Sequence, residues 1–219
     1  MWAGSGSPRN GVRGLRARQV NLDNPGTTLD PMSIDLLKKA IAGFSAELAA
    51  TPDSDWSRMT KCEGWTVTDL VTHMVGGARG AAAAFRGGSK EDAIAAGAGD
   101  VLGSDPRAAF EASVADHIAA YESLADPETV IHHPAADMPA SRLLMFRIGD
   151  YLLHTWDLAA GLGRSVTLEP EVCAYVYANL EPMAPVLGSI GMFGEGPSGT
   201  VDATADIQTR VLDISGRRP

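Results

Sequence analysis

From Ala140 to about Ala160 the chain reads as one long helix in which Leu143, Arg147, Asp150, His154, Asp157 and Gly161 fall on a single strip, flanked by Leu144, Ile148, Leu152 and Leu158. Polar groups set among aliphatic ones need partners, because burying them unpaired costs on the order of 1–3 kcal/mol each. Asp150 and His154 have the i, i+4 spacing. On an α-helix that spacing turns the chain by about 40° and advances it by roughly 6 Å, so both side chains leave the same face. One helix therefore offers two adjacent metal ligands. A second helix-like segment, Thr66-Val-Thr-Asp-Leu-Val-Thr-His73, supplies an imidazole that a neighbouring helix can aim at the same point. Two imidazoles and a carboxylate would then hold a divalent cation with room left for water or substrate. The fold must bring such helices face to face.

The rest of the composition fits a single packed body. At 219 residues and 45% hydrophobic content the chain is long enough for one core without staples. A net charge of -9 argues against nucleic-acid binding, which begins with a basic surface. Small molecules or protein subunits are the expected partners, and an apolar helix face offers a route to a homodimer. Cys62 and Cys173 form no C-x-x-C motif and no secretion signal precedes them, which points to a reduced, cytoplasmic setting. No apolar run approaches the ~20 residues of a membrane span, so no membrane partner is expected. Residues 1–31 stand apart: Arg9, Arg13, Arg16 and Arg18 lie among Gly, Ser, Pro and Asn without periodicity. This stretch reads as a flexible leader, with Met32 as the natural start of a domain running over 32–219.

Helical periodicity begins behind Ser33, a residue suited to an N-cap, with Ile34, Leu37, Ile41, Phe44 and Leu48 on one face up to about Ala50. A loop anchored by Trp56 and Trp65 follows. Thr66 opens the second helix with Asp69 three residues on, a carboxylate capping box, and the helix runs to about Phe85. Gly87 to Gly103 reads as a linker or a loose helix. Asp105-Pro106 is an N-cap followed by Pro at the first helical position, and the third helix carries Phe110, Val114, Ile118, Tyr121 and Leu124. Thr129 to His133 is short and β-branched, hence a brief extended piece. After the polar-strip helix, which ends with Gly161 or Gly163 as its stop signal, a fifth helix is expected over Pro170 to Ala184 and a short one over Thr204 to Leu212.

Other candidates carry less weight. His117 lies beside Asp116 and Ile118 on an amphipathic helix, and His132 and His133 sit in a crossover where neighbours point different ways. Cys62 has no basic or histidine partner nearby in sequence to lower its pKa and reads as structural. Gly76, Gly77 and Gly80 lie inside a helix pattern on the His73 face, where small residues admit a neighbouring helix or a ligand, and they form no phosphate loop. Asp157 is placed to orient a ligand from behind, or else caps the helix at its surface. Arg147, one turn before Asp150, is placed to bind an anionic cofactor or substrate, or to neutralise that carboxylate.

Three strings resemble the signatures of a known family: Gly64-Trp-Thr-Val-Thr-Asp-Leu-Val-Thr-His73, Asp150-Tyr-Leu-Leu-His-Thr-Trp-Asp-Leu-Ala159, and Arg210-Val-Leu-Asp-Ile-Ser-Gly-Arg-Arg-Pro219. They are similar to the actinobacterial family related to the metal-binding domain of mycothiol-dependent maleylpyruvate isomerase, within the DinB-like superfamily. The resemblance implies an all-α fold, a DinB-like four-helix bundle with long crossovers and a short C-terminal extension. It implies zinc or nickel held by His73, Asp150 and His154, and mycothiol as thiol cosubstrate in a transferase or isomerase-like reaction on a small electrophile. The isomerase pattern has Glu where this chain has Asp150. The isomerase also carries a C-terminal domain that helps form its active site, and the closing Gly-Arg-x-Pro fits members that stop after the bundle. A non-catalytic metal- or small-molecule-binding bundle is the alternative.

Overall fold

The computed structural model describes residues 31–190 and 193–218, so the leader expected over 1–31 lies almost wholly outside the described residues. Four long helices form the body: α1 (Pro31–Ala49), α2 (Val67–Phe85), α4 (Pro106–Glu122) and α5 (Ala140–Gly161). A short α3 (Lys90–Ala96) lies between α2 and α4, and a two-stranded antiparallel hairpin, β1 (Val130–His132) and β2 (Asp137–Pro139), crosses from α4 to α5. Then follow α6 (Pro170–Leu180), α7 (Ala184–Ile190) and α8 (Ile207–Ile214). Among the described residues no helix is long and apolar enough to cross a membrane.

The four long helices bury one continuous core. α1 packs along α5 and α2 along α4, while α2 and α5 also meet. Leu37 and Phe44 of α1, Leu70 and Met74 of α2, Phe110 of α4, and Leu144, Ile148 and Leu158 of α5 are all fully buried. Phe44 lies against Phe110 with ring centroids 5.1 Å apart, and both meet Tyr151 edge-on at 6.5 and 6.4 Å. These aromatic contacts tie three helices at the centre of the bundle.

Local signals set most of the boundaries. The Thr66–Asp69 capping box is formed in both directions, and Asp105 caps α4 ahead of Pro106. Three expectations need correction, and the alternative left open for Gly87–Gly103 is decided. The first helix begins at Pro31, so Ser33 lies within its first turn instead of capping it. The Gly87–Gly103 stretch contains a defined helix, α3, opened by a second capping box made by Ser89 and Asp92. The fifth helix stops at Leu180, because Pro182 has no N–H to donate and the chain tightens into a 3-10 turn over Glu181–Met183. The last helix starts at Ile207, where Asp206 accepts from the Thr209 N–H as its cap. Gly163, with φ of 77°, terminates α5. Gly161 serves a different need, since a Cβ there would sit 2.5 Å from Cα of Thr60 in the crossing loop.

The glycine face of α2 is filled by backbone. A Cβ on Gly76 would lie 2.8 Å from the Gly97 carbonyl oxygen, and one on Gly80 3.0 Å from that of Ala93. The α3 segment therefore rides directly on the α2 main chain. Gly76→Ala is expected to lower stability by about 1–3 kcal/mol in urea unfolding, because backbone cannot yield as a side chain tip does. Gly43→Ala in α1, whose nearest neighbour would be Thr155 at 3.8 Å, is expected to be neutral or stabilising by up to about 1 kcal/mol. Equal effects of the two changes would contradict this packing.

Candidate functional site

The polar strip of α5 faces α2 at the level of His73. The ligand atoms of His73, Asp150 and His154 all lie within 4.8 Å of one another, with His73 Nε2 3.6 Å from Asp150 Oδ2. That separation is long for a hydrogen bond. It is close to the ~3.4 Å between two ligands at ~2.1 Å in a tetrahedral site. His73 Nε2 is covered from solvent and has no hydrogen-bond partner. The two imidazole rings stand edge to face at 5.1 Å, and Trp65 lies over both, 5.0 Å from His73 and 6.0 Å from His154. Trp65 is positioned by a tight turn in which Gly64 takes φ of 75° and the Trp65 N–H donates to the Cys62 carbonyl.

Two of the three ligand candidates, His154 and Asp150, are held from behind. His154 Nδ1 lies 2.9 Å from Asp157 Oδ2, so the ring carries its proton there and its Nε2 lone pair faces away from Asp157. Asp157 is 2% exposed and also receives a fork from Arg217, Nε at 2.9 Å and Nη2 at 2.6 Å. Burial pushes the Asp157 carboxyl up, but the His154 hydrogen bond and the Arg217 charge outweigh it and hold the pKa down to about 2. Arg147 Nη1 donates to Asp150 Oδ2 at 2.6 Å, and its Nη2 reaches the Met74 carbonyl. Burial raises the Asp150 carboxyl as well, yet Arg147 and the nearby His73 and His154 bring it below the usual carboxylate range. Both carboxylates are ionised at neutral pH.

Arg147 itself is 5% exposed, with its guanidinium against the bare main chain of Gly77 and 5.0 Å from the Tyr151 ring. Its position is that of a neutralising partner to Asp150. Cys62, distant in sequence, comes to 3.5 Å from His154 Nδ1 and 3.3 Å from Asp157 Oδ2. Sequence reasoning found it no histidine partner because the contact spans two elements, and only its place in the loop before Trp65 hinted at it. Burial and the Asp157 charge push its pKa up to about 12, so it is a neutral thiol donating to Asp157. Cys62, His154 and Asp157 also have ligand spacing, but the Arg217 fork on Asp157 places a fixed positive charge where a second cation would sit. Arg217 was likewise missed as a contact. It is turned onto Asp157 by Gly216, which ends α8 at φ of 80°.

The remaining histidines separate clearly. His132 pairs with Asp137 across the hairpin at 3.2 Å, whereas His133 lines a cleft of about 300 Å³ that begins at His73. His117 is fully buried between Phe85, stacked at 5.6 Å, and Tyr151, with neither ring nitrogen hydrogen-bonded.

Inward-facing polar groups on two helices of an α-bundle, backed by buried ion pairs, define a helical-bundle protein with a ligand-rich centre. The chain belongs to the family described as the mycothiol maleylpyruvate isomerase N-terminal domain, whose model matches residues 37–159. Two uncharacterized proteins from two strains of Mycobacterium tuberculosis are each 28% identical to it over 176 residues, spanning 77% of this chain and 84% of theirs. Among solved structures, a mycothiol-dependent maleylpyruvate isomerase superposes with TM-score 0.54 at 19% identity, covering 68% of either chain. A histidine-to-alanine variant of such an isomerase gives 0.57 at 17% identity, covering 76% of this chain and 72% of its own. The shared fold is the DinB-like helical fold.

Two outcomes test this geometry. Arg217→Met strips a buried carboxylate of its guanidinium partner and is expected to cost about 3–5 kcal/mol in unfolding, against well under 1 kcal/mol for an ordinary surface arginine. His117 sets a pH dependence: burial, then the Arg147 charge, pushes its pKa down to about 3 from the ordinary 6.5. Below pH 6.5 the unfolded chain takes up a proton that the folded one refuses, so this contribution is complete above 6.5 and shrinks as pH falls toward 3. The loss approaches about 1.4 kcal/mol per pH unit. Urea midpoints between pH 7.5 and 4.5 should fall more steeply for the parent than for His117→Phe; parallel curves would remove the assignment.

Proposed function

We propose that His73, Asp150 and His154 hold a divalent cation, zinc or nickel, and that the chain uses it with a mycothiol-type thiol to transform a small electrophilic molecule by transfer or isomerisation. The observation that carries this reading is the meeting of three ligand atoms within 4.8 Å, one of them a covered imidazole nitrogen with no other partner. A buried polar atom left unpaired is costly, and a cation relieves that cost. The donor set of two imidazoles and one carboxylate suits several divalent ions and leaves positions open. A cation bound there supplies positive charge that favours the thiolate form of a thiol near neutral pH.

The chain's own residues prepare the site. Asp157 fixes the His154 tautomer and ring orientation, the carboxylate–histidine arrangement found behind metal-binding imidazoles. Arg147 keeps Asp150 ionised while its charge stays buried behind Gly77. As an anchor for an anionic cosubstrate it would act through its field. Trp65 covers the imidazoles, and the cleft beside His73 gives a small molecule access. Cys62, held protonated by Asp157, does not compete as a nucleophile. The attacking sulfur would then be the cosubstrate's, its S–H proton having passed to solvent water when the thiolate forms.

Protein purified without a histidine tag is expected to carry about one zinc or nickel per chain by elemental analysis, and His73→Ala to lose it. Mixed with mycothiol and a panel of electrophiles, the metal-loaded protein should either consume thiol, in a transfer, or convert the electrophile with the thiol regenerated, in an isomerisation, and the His73→Ala variant should do neither. A metal-free parent after growth with both ions, or metal retained by His73→Ala, would end this reading. Thiol affinity with neither thiol consumption nor conversion of any electrophile would make the protein a binding module instead of an enzyme.

A further inference from the structure

The cleft of about 300 Å³ beside His73 has walls from α2, α3 and the turn between β1 and β2, with Thr72, Gly76, Gly80, Ile94 and His133 among its lining. Its volume lies at the small end of the range for small-molecule sites. No lining residue carries a fixed charge. The Thr72 hydroxyl is already spent on the Thr68 carbonyl at 2.8 Å. Away from the candidate metal ligands, the imidazole of His133 is therefore the side chain left to address an occupant.

The tautomer of that imidazole is set by the turn. His133 Nδ1 accepts the Ala135 backbone N–H at 3.2 Å, so the ring proton resides on Nε2, for which no partner exists among the described residues. We propose that His133 is a substrate-contacting residue whose Nε2–H donates to a carbonyl oxygen of a small uncharged electrophile held in this cleft. The inference rests on the site reading of the preceding subsection and names its substrate class, small carbonyl compounds. A donor aimed at a carbonyl oxygen draws electron density from the carbon that a thiol attacks, and it does so best where water is scarce. Burial of the ring, reinforced by the Arg147 charge, lowers the His133 pKa, which keeps the ring a neutral donor at pH 7. Without fixed charge in its lining, the cleft favours a ketone, aldehyde or ester over a free carboxylate.

The test uses cyclohexanone, an unreactive ketone, titrated into the protein as purified and followed by nitrogen-15 NMR. His133 should show the Nε2–H tautomer, and the amides of Gly76, Gly80 and Ile94 should shift together as the ketone is added. His133→Phe is expected to weaken this binding at least tenfold, while His133→Gln, which restores an N–H donor, should stay within about threefold of the parent. Metal content should be the same in all three proteins. Repeating the titration after chelation separates the two readings: a wrong metal assignment leaves ketone binding intact, and a wrong His133 assignment leaves metal content intact. An Nδ1–H tautomer, no binding of the ketone, shifts outside the cleft, or His133→Phe binding as tightly as the parent would each overturn the proposal.

Discussion

The buried carboxylate of Asp157 is the constraint from which the centre of this protein is built. It receives His154 from its own helix, Arg217 from the C-terminal segment and the Cys62 thiol from the loop before α2. The Asp157 carbonyl also accepts the Lys61 N–H, so the same residue fixes the loop by backbone as well. A carboxylate with 2% exposure is tolerable only because these donors replace its water. Two segments far apart in the chain are thereby registered against one turn of α5. Trp65, His154 and the end of α8 are aligned as a result, and the cover of the site is as well determined as its candidate ligands.

Much of this was legible in the residues. The spacing of Arg147, Asp150, His154 and Asp157 along one helix, and the Thr66–Asp69 box ahead of His73, are local patterns, and local patterns survive into the fold because each depends only on helix geometry. The second box at Ser89 and Asp92 obeys the same rule and was obscured by the surrounding glycines, whose role is tertiary: they make room for backbone from α3. Cys62 and Arg217 were illegible as contacts for another reason. Their partner lies 95 and 60 residues away. No periodicity encodes such a pairing. His117 stood between these cases: it shares the buried face of Phe110, Val114 and Tyr121, a position that marks it for the core, yet its polarity argued for the surface.

Behind the candidate ligands lies a second layer of compromise. Arg147 is buried between Asp150, Met74 and Tyr151, and His117 is forced neutral within the reach of its charge. A single cation neutralises the carboxylate, and the aromatic rings around it offer polarisable faces in place of a second anion. The Arg147–Asp150 pair thus sits within the bundle beside the Asp157–Arg217 pair, each charge answered by its own partner.

The wall of α2 that borders the cleft has one further consequence. At Gly76 and Gly80 the space a side chain would claim is already taken by main chain from α3, so those positions are closed to ordinary sequence drift. Ile94, 57% exposed, and Pro134 border the same space without that restriction. Any natural or directed resizing of the opening must therefore proceed from the rim, leaving the helix that carries His73 unaltered.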